Sequence, residues 1–324
     1  MIKLQSNNIS EKISIVIPCY NSQDTIENVV NEYINVLRKN SINNYEFVLI
    51  NDASKDNTWN VLQKIAKNHP NTTVISLSKN FGQHNAIMAG FNYVTGDYVV
   101  TSEDDGQTQL NIINQMIQKL QVGYDVVMAN QTQQYKPSLF RNIGTKFSDF
   151  TSNIFLDNPE NLPLSIFFMA KKYVIDEMIK YKNPYPFITG LVLRTTHKIA
   201  VINVEHLKRK SGQSGYSFKK LLKLWINEFT SFSVKPLEFS AYIGIISAII
   251  GFTFGIYVII RRIFFHNILA GWSSLVAIIL FMTGIILFVL GLTGEYIGRI
   301  YICINQSPQY VIKDVVLASE KKNE

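Results

Sequence analysis

Charge is what this sequence has least of. Of its 324 residues, 17 % are charged, against about 25 % in an average soluble domain, so part of the chain carries almost none. Cysteine is nearly absent. Cys19 and Cys303 are the two, far apart and with no ligand pair beside either, which excludes a disulfide scaffold and a structural zinc site and fits a reducing compartment. There is no Gly-x-Gly-x-x-Gly and no Gly-Lys-Ser/Thr run, so nothing supports a dinucleotide fold or a P-loop. Residues 1–12 are polar and the apolar run 13–17 is far too short for a signal peptide. The N-terminal region is therefore expected to be made and kept in the cytoplasm.

The missing charge is concentrated in two windows. Residues 239–260 and 272–294 each run for more than twenty positions without Asp, Glu, Lys or Arg, and at about 1.5 Å per residue each is long enough for a hydrocarbon core of about 30 Å. The alternative, a pair of buried core helices, would normally show polar residues on one face. A connection this short, holding Arg261, Arg262 and His266, makes the two spans an antiparallel hairpin. Lys219, Lys220, Lys223 and Lys235 before the first span, with Arg299 and Lys313 after the second, outweigh the two loop arginines and place both termini in the cytoplasm. The net charge is +7, and seven of the basic residues cluster between Lys208 and Lys235 beside a membrane span, where lipid phosphate is the nearest anion; no nucleic-acid partner is expected. Just before the hairpin, Phe218, Leu221, Leu222, Trp225, Ile226 and Phe229 recur at helical spacing beside those lysines. That describes a helix lying in the membrane interface, or packed on the preceding domain, or both.

The first 200 residues alternate strands and helices. Strands are expected at 13–17, 47–50, 74–77, 98–101 and 125–128. The helices between them carry apolar residues at helical period: Ile26 to Leu37 capped by Asn21 or Ser22, Trp59 to Ile65 capped by Asp56, then 83–93 and 110–120. Such alternation argues for an α/β fold with a mostly parallel sheet covered on both faces, whose ligands bind at the carboxyl ends of the strands. The residues at those ends are polar and acidic: Pro18, Tyr20 and Asn21; Asp52 and Asp56; Lys79; then Glu103, Asp104, Asp105 and Gln107. Three carboxylates after a buried strand are costly unless a cation neutralises them, and Mg²⁺ or Mn²⁺ takes one or two carboxylates plus substrate phosphates.

These loops together resemble the nucleotide-diphospho-sugar enzymes of glycosyltransferase family 2. The C-terminal half, with His206, Arg209, Gly212, Ser214 and Tyr216 followed by Lys220, Leu221 and the hairpin ending in Gly294, Glu295, Tyr296, Ile297, Gly298 and Arg299, is similar to the polyprenyl-phosphate members, the dolichyl-phosphate mannose synthases and bactoprenol glucosyltransferases. The resemblance covers nearly the whole chain. It implies a GT-A catalytic domain at 1–215, a juxtamembrane amphipathic helix at 216–238, two transmembrane helices within 239–294 and a cytoplasmic tail at 295–324. This would be a multi-pass protein of the bacterial cytoplasmic membrane. It implies inverting transfer of one sugar from a nucleotide-sugar, a UDP-sugar by preference, to undecaprenyl phosphate for cell-surface glycan modification. A homo-oligomer, membrane lipid, a flippase and a glycan-transferring enzyme are the implied partners; Gly244, Gly251 and Gly255 in the first span would allow close helix contact.

By the same resemblance Pro18, Tyr20, Asn21 and Asp52 line the nucleobase and ribose pocket, with Lys79 and Asp104 beside them. Glu103, Asp105 and Gln107 carry Mg²⁺ or Mn²⁺, Arg209 meets the diphosphate, Ser214 belongs to the substrate site, and Arg141 and Thr145 hold the lipid phosphate, with Asp105, Arg141 and Ser165 as the catalytic set. Arg141 has a competing reading as a surface residue, and Arg209 as a contact to anionic lipid. Three positions depart from the family pattern. Glu103 stands where Asp is usual, with Asp104 as the alternative ligand for a shifted metal; Asn130 and Gln131 replace an arginine; and Ser165 stands where an aspartate general base is proposed. A phosphate monoester is largely dianionic at neutral pH, so the acceptor needs positioning more than deprotonation, and catalysis without a carboxylate base is expected. A nucleotide-binding pseudoenzyme is the alternative from another class. A processive synthase would need a Gln-x-x-Arg-Trp motif and more spans, and has neither.

Overall fold

The structure is a computed structural model. It describes residues 10–106, 109–132, 162–163, 165–205, 235–264 and 271–318. Gln107, Arg141, Thr145, Arg209 and Ser214 lie outside these residues, as does most of the expected amphipathic helix.

The strands form where β-branched and aromatic runs are bounded by polar turns. They are β1 (Ile13–Cys19), β2 (Tyr45–Asn51), β3 (Thr72–Leu77), β4 (Tyr98–Thr101), β5 (Val126–Thr132), β6 (Phe168–Lys171), β7 (Ile199–Glu205) and β8 (Ile312–Val316). Among the described residues they make one eight-stranded sheet in the order β7-β5-β6-β4-β1-β2-β3-β8. β4, β1, β2 and β3 are parallel neighbours, and β5 pairs parallel with β7. β6 runs antiparallel between β4 and β5 and β8 runs antiparallel to β3. The sheet is therefore mixed, more so than the alternating pattern implies.

Both faces of the parallel part are covered, which explains why β1 is buried along its whole length. Ile13, Ile15 and Ile17 point into one core with α1 (Ile26–Lys39), α2 (Thr58–Asn68) and α4 (Ile113–Gln121). Val16, Val48 and Ile50 point into the other with α3 (Gln83–Phe91), α5 (Lys172–Met178) and α6 (Ile188–Thr195). Two expected caps shift. α1 starts at Ile26 with Thr25 as N-cap, because Thr25 and Ile26 N–H both donate to the Ser22 carbonyl and make a turn of the segment before the helix. α2 is capped by Asn57, while the Asp56 carboxylate accepts from Thr58 N–H at 3.1 Å. The helix expected at 110–120 opens with a single 3₁₀ turn, Leu110–Ile112.

Two long helices follow the sheet domain, α7 (Lys235–Phe264) and α8 (Trp272–Ile304). Residues 235–238 form the first turn of α7, and α8 runs ten residues past Gly294. Almost none of either apolar stretch is buried, and Phe252, Phe281, Leu287 and Phe288 are all more than 60 % exposed. Core helices would hide these side chains, so the pair is shaped for a hydrocarbon surround. The C-terminal tail does not trail free. Its residues 312–316 are β8, and Ala318 N–H donates to the Thr73 hydroxyl at 3.2 Å.

At the amino-terminal edge of the sheet, Glu46 accepts from Ser14 Oγ, Thr95 N–H and Lys12 Nζ at 2.6 Å each. Burial raises its pKa, and these donors overcome that and hold it below the ordinary value. Gly96 closes this corner. A Cβ there would lie 2.6 Å from the Lys12 carbonyl oxygen and 2.8 Å from Ser14 N, both backbone atoms. Gly96→Ala is expected to cost about 1–3 kcal/mol through overpacking, read as a lowered thermal midpoint of the full chain.

Candidate active site

Parallel strands deliver their following loops to one edge, and here those loops bind one another. β4 stops at Thr101, opposite Val16 and short of the end of β1, so residues 102–105 run beside Pro18, Cys19 and Tyr20. Ser102 N–H donates to the Val16 carbonyl at 3.0 Å, and Tyr20 N–H donates to Asp104 Oδ2 at 3.0 Å. Asp104 is thereby turned to the protein. Burial raises its pKa, helped by the neighbouring Asp105 charge and opposed by the Tyr20 amide and Ser22 hydroxyl. Glu103 and Asp105, on either side of it, remain half-exposed. The buried Cys19 thiol is pushed well above its ordinary pKa by burial and then by Asp104, which makes it inert.

β1 and β2 are joined in the same way. Asn21 sits at φ 53°, the left-handed region that Asn tolerates. Its N–H donates to Ser54 Oγ at 3.0 Å and its Oδ1 accepts from Lys55 N–H at 2.9 Å. Ser54 N–H in turn donates to Asn51 Oδ1 at 3.0 Å. Asp52, 3 % exposed, accepts from Phe81 N–H at 2.7 Å through Oδ1 and from Gly82 N–H at 2.8 Å through Oδ2. Its pKa is raised by burial, against the pull of those two amides. In this structure Asp52 braces the loop after β3, and any nucleobase contact would use the remaining lone pairs of its oxygens. Gly82 takes φ 90° as the N-cap of α3, a conformation that strains any other residue. Lys79 is exposed on that loop, its ammonium 5.0 Å from the centre of the Phe81 ring.

Ser165 lies beside the carboxylate loop because β6 returns antiparallel to β4, with Val100 opposite Met169. The Thr101 hydroxyl anchors the approach by donating to the Ile166 carbonyl. The Ser165 hydroxyl accepts from Phe167 N–H at 3.1 Å, so it shapes the entry to β6. Asn130, at an arginine position of the family pattern, donates to Asn203 Oδ1 at 2.9 Å.

Pro18, Tyr20, Asn21, Asp52, Lys79, Glu103, Asp104, Asp105 and Ser165 thus share one edge of the sheet. No three His, Cys, Asp or Glu side chains converge for a metal among the described residues. The donor set is of a kind that fits Mg²⁺ or Mn²⁺: Asp104 Oδ2 is directed to Tyr20 N–H, Glu103 and Asp105 offer hard carboxylate oxygens on half-exposed residues, and such ions complete their shell with water and substrate phosphate. Sequence reasoning places Asn51 and Ser54 in the strand-end loop after β2 but gives them no role, because their value lies in bonds to backbone amides; it reads Gln83, His84 and Asn85 either as side chains around the hexose or, by preference, as the start of a helix. His84 is half-buried at the first turn of α3. Ile188 N–H, at the start of α6, donates to its Nδ1 at 3.4 Å, and the Phe187 ring meets it edge-on at 5.6 Å. Nε2 therefore carries the proton of a neutral ring.

Residues 14–181 match the family described as Glycosyl transferase family 2, and residues 235–300 match the GtrB C-terminal hairpin. A glycosyltransferase of Bacillus subtilis (strain 168), YkcC, is 34 % identical over 93 % of both chains. The undecaprenyl-phosphate 4-deoxy-4-formamido-L-arabinose transferases of Proteus mirabilis (strain HI4320) and Yersinia enterocolitica are 32 % and 31 % identical. They cover 94 % and 97 % of this chain, and 94 % and 96 % of their own lengths are matched. Glucosyl-3-phosphoglycerate synthase from Mycobacterium tuberculosis, solved with Mn²⁺ and UDP-glucose, shares the GT-A fold with TM-score 0.51 at 16 % identity, over 68 % of this chain and 77 % of that one.

Burial pushes the His84 imidazole down from 6.5 to about 4. Between those values the unfolded chain binds a proton that the folded chain does not, so stability rises with pH through that window and is lost as pH falls through it. The whole effect is at most about 3 kcal/mol. Thermal midpoints measured from pH 4 to 7 should climb for the parent chain and flatten in His84→Gln.

Proposed function

Because the chain belongs to glycosyl transferase family 2 and carries a GtrB-type hairpin behind its catalytic domain, we propose that it transfers a single sugar, with inversion, from a UDP-sugar to undecaprenyl phosphate at the cytoplasmic membrane face. The observation that carries this reading is the joining, in one chain, of a strand-end site and two apolar helices whose side chains face outward. A soluble acceptor would need no such hairpin, whereas a polyprenyl phosphate presents its headgroup at the membrane surface. The full-length likeness to two undecaprenyl-phosphate transferases supports it. The two helices cross the membrane with both termini inside, and the product serves cell-surface glycan modification after a flippase and a glycan-transferring enzyme have acted on it.

Glu103 and Asp105, with Gln107, are the residues that hold Mg²⁺ or Mn²⁺, which when bound offsets the charge of the departing nucleoside diphosphate. Asp104 fixes the loop bearing them through Tyr20 N–H. Pro18, Tyr20 and Asn21 form the wall for the base and ribose, with Asp52 setting the opposite side through Phe81 and Gly82. Arg209 meets the diphosphate, and Lys79 and Ser214 belong to the same substrate site. Arg141 and Thr145 hold the acceptor phosphate, an arginine fork and a hydroxyl four residues on. The acceptor oxygen is already anionic, so Ser165 shapes the site and removes no proton.

The test is transfer of radiolabel from a panel of nucleotide-sugars, including a UDP-linked 4-formamido pentose, to undecaprenyl phosphate in the organic phase, with Mg²⁺ or Mn²⁺ and with EDTA. Metal-dependent lipid label is expected. Binding of nucleotide with no label from any donor would favour the pseudoenzyme. Asp105→Asn should lower kcat by about 10² or more, the scale of losing transition-state charge stabilisation. Ser165→Ala should lower it by less than about tenfold, well short of the 10²–10⁴ supplied by a general base; a larger loss would give the hydroxyl a chemical role.

A further inference from the structure

The tail between α8 and β8 touches both sides of the site edge at once. α8 ends at Ile304, and a turn through Gln306 at φ 50° and Pro308 brings the chain to Gln309, which is 8 % exposed. The Gln309 Nε2 group donates to two backbone carbonyls, Tyr181 at 3.2 Å and Asn183 at 2.9 Å. The next residue, Tyr310, accepts from Asn92 Nδ2 at 2.9 Å, at the far end of α3. Val311 then accepts from Ser78 N–H at 2.9 Å, at the start of the loop after β3.

Both segments lead into the site. From Ser78 the chain runs through Lys79 to Phe81 and Gly82, whose amides grip Asp52, and on to His84. From Asn183 it runs through Pro184 and Pro186, whose rings fix φ and stiffen the path, to Phe187 and Ile188. There the two paths meet, at the Ile188 N–H bond to His84. Tyr185, on the second path, lies under the Arg299 guanidinium of α8 at 5.3 Å. Three consecutive tail residues therefore close a ring that runs through the loop after β3, His84, α6 and the proline segment, and this ring hangs from the end of a membrane helix.

We propose that residues 309–311, anchored by Gln309, are a positioning element of the donor site. They set the spacing between the loop after β3 and the N-terminus of α6, and so the placement of residues 79–84 against the nucleotide-sugar. This rests on the sugar-transfer reading. Its physical content is that a buried amide serving two carbonyls has no cheap substitute: an apolar replacement takes its donor away from both carbonyls, and a carboxylate sets oxygen against oxygen.

The experiment compares the full chain in detergent with Gln309→Glu, which keeps the shape and removes both donors, and with Gln309→Met, which removes them without adding charge. The KM for the nucleotide-sugar should rise about tenfold in Gln309→Glu and about threefold in Gln309→Met, with kcat and the KM for undecaprenyl phosphate changed by less than about twofold. Hydrogen exchange should accelerate at 78–91 and 181–195 and stay unchanged in β1 and β2. Unchanged exchange in both variants would overturn the proposal, as would faster exchange with an unchanged donor KM. A fall in kcat alone with a lowered thermal midpoint would reduce Gln309 to a packing residue and overturn it too. A parent chain that transfers no sugar would contradict the function instead; the exchange pattern and the affinity for UDP, weakened about tenfold in Gln309→Glu if the proposal holds, would then decide between the same outcomes.

Discussion

Everything at the site follows from the parallel alignment of β4, β1, β2 and β3. Parallel strands need crossover helices, the helices bury both faces, and each strand hands its polar loop to one edge. At that edge the backbone N–H groups have lost their ladder partners and must find others. Asp104 serves Tyr20, Ser54 serves Asn21, Asn21 serves Lys55, and Asp52 serves Phe81 and Gly82. The acidic and amide side chains of the loops are thus the solution to a backbone problem before they are anything else. Glu103, Asp104 and Asp105 are all half-exposed at that edge, and the two that flank Asp104 are those proposed to take a ligand.

This division explains what the sequence discloses and what it conceals. The strands at 13–17, 47–50, 74–77 and 98–101 are legible because they are short β-branched runs buried on both faces, and the gathering of Asn21, Asp52, Lys79 and Glu103 at one edge follows from their order alone. Which carboxylate is structural does not. Asp52 and Asp104 take up amides roughly thirty and eighty-four positions away in the chain, and no local pattern encodes such a pairing. β8 was hidden for the same reason. Residues 312–316 read as a modest apolar stretch, and become a strand only because β3, more than two hundred residues earlier, offers an open edge. The start of α1 was misplaced by a turn whose carbonyl acceptor, Ser22, looks in sequence like a cap.

The hairpin and the sheet domain are tied more closely than a domain list implies. Arg299 over Tyr185, Gln309 on the Tyr181 and Asn183 carbonyls, and β8 along β3 hold the end of α8 against the catalytic sheet. The same contacts keep the strand-end edge at a set distance from the end of a helix whose apolar residues face outward. For a reaction between a soluble donor and an acceptor anchored in lipid, that distance is a condition of the chemistry, because two reactants held in fixed relation need no further search.

The central claim is that the strand-end loops form one site in which a divalent cation and a nucleoside diphosphate complete each other. Titration of Mn²⁺ into the full chain, followed by electron paramagnetic resonance with and without UDP, tests it most directly. The account predicts weak Mn²⁺ binding alone, binding tightened at least tenfold by UDP, roughly 1.4 kcal/mol of coupling, and loss of that tightening in Glu103→Gln combined with Asp105→Asn. Mn²⁺ affinity indifferent to UDP, or a double variant that retains the tightening, would contradict it.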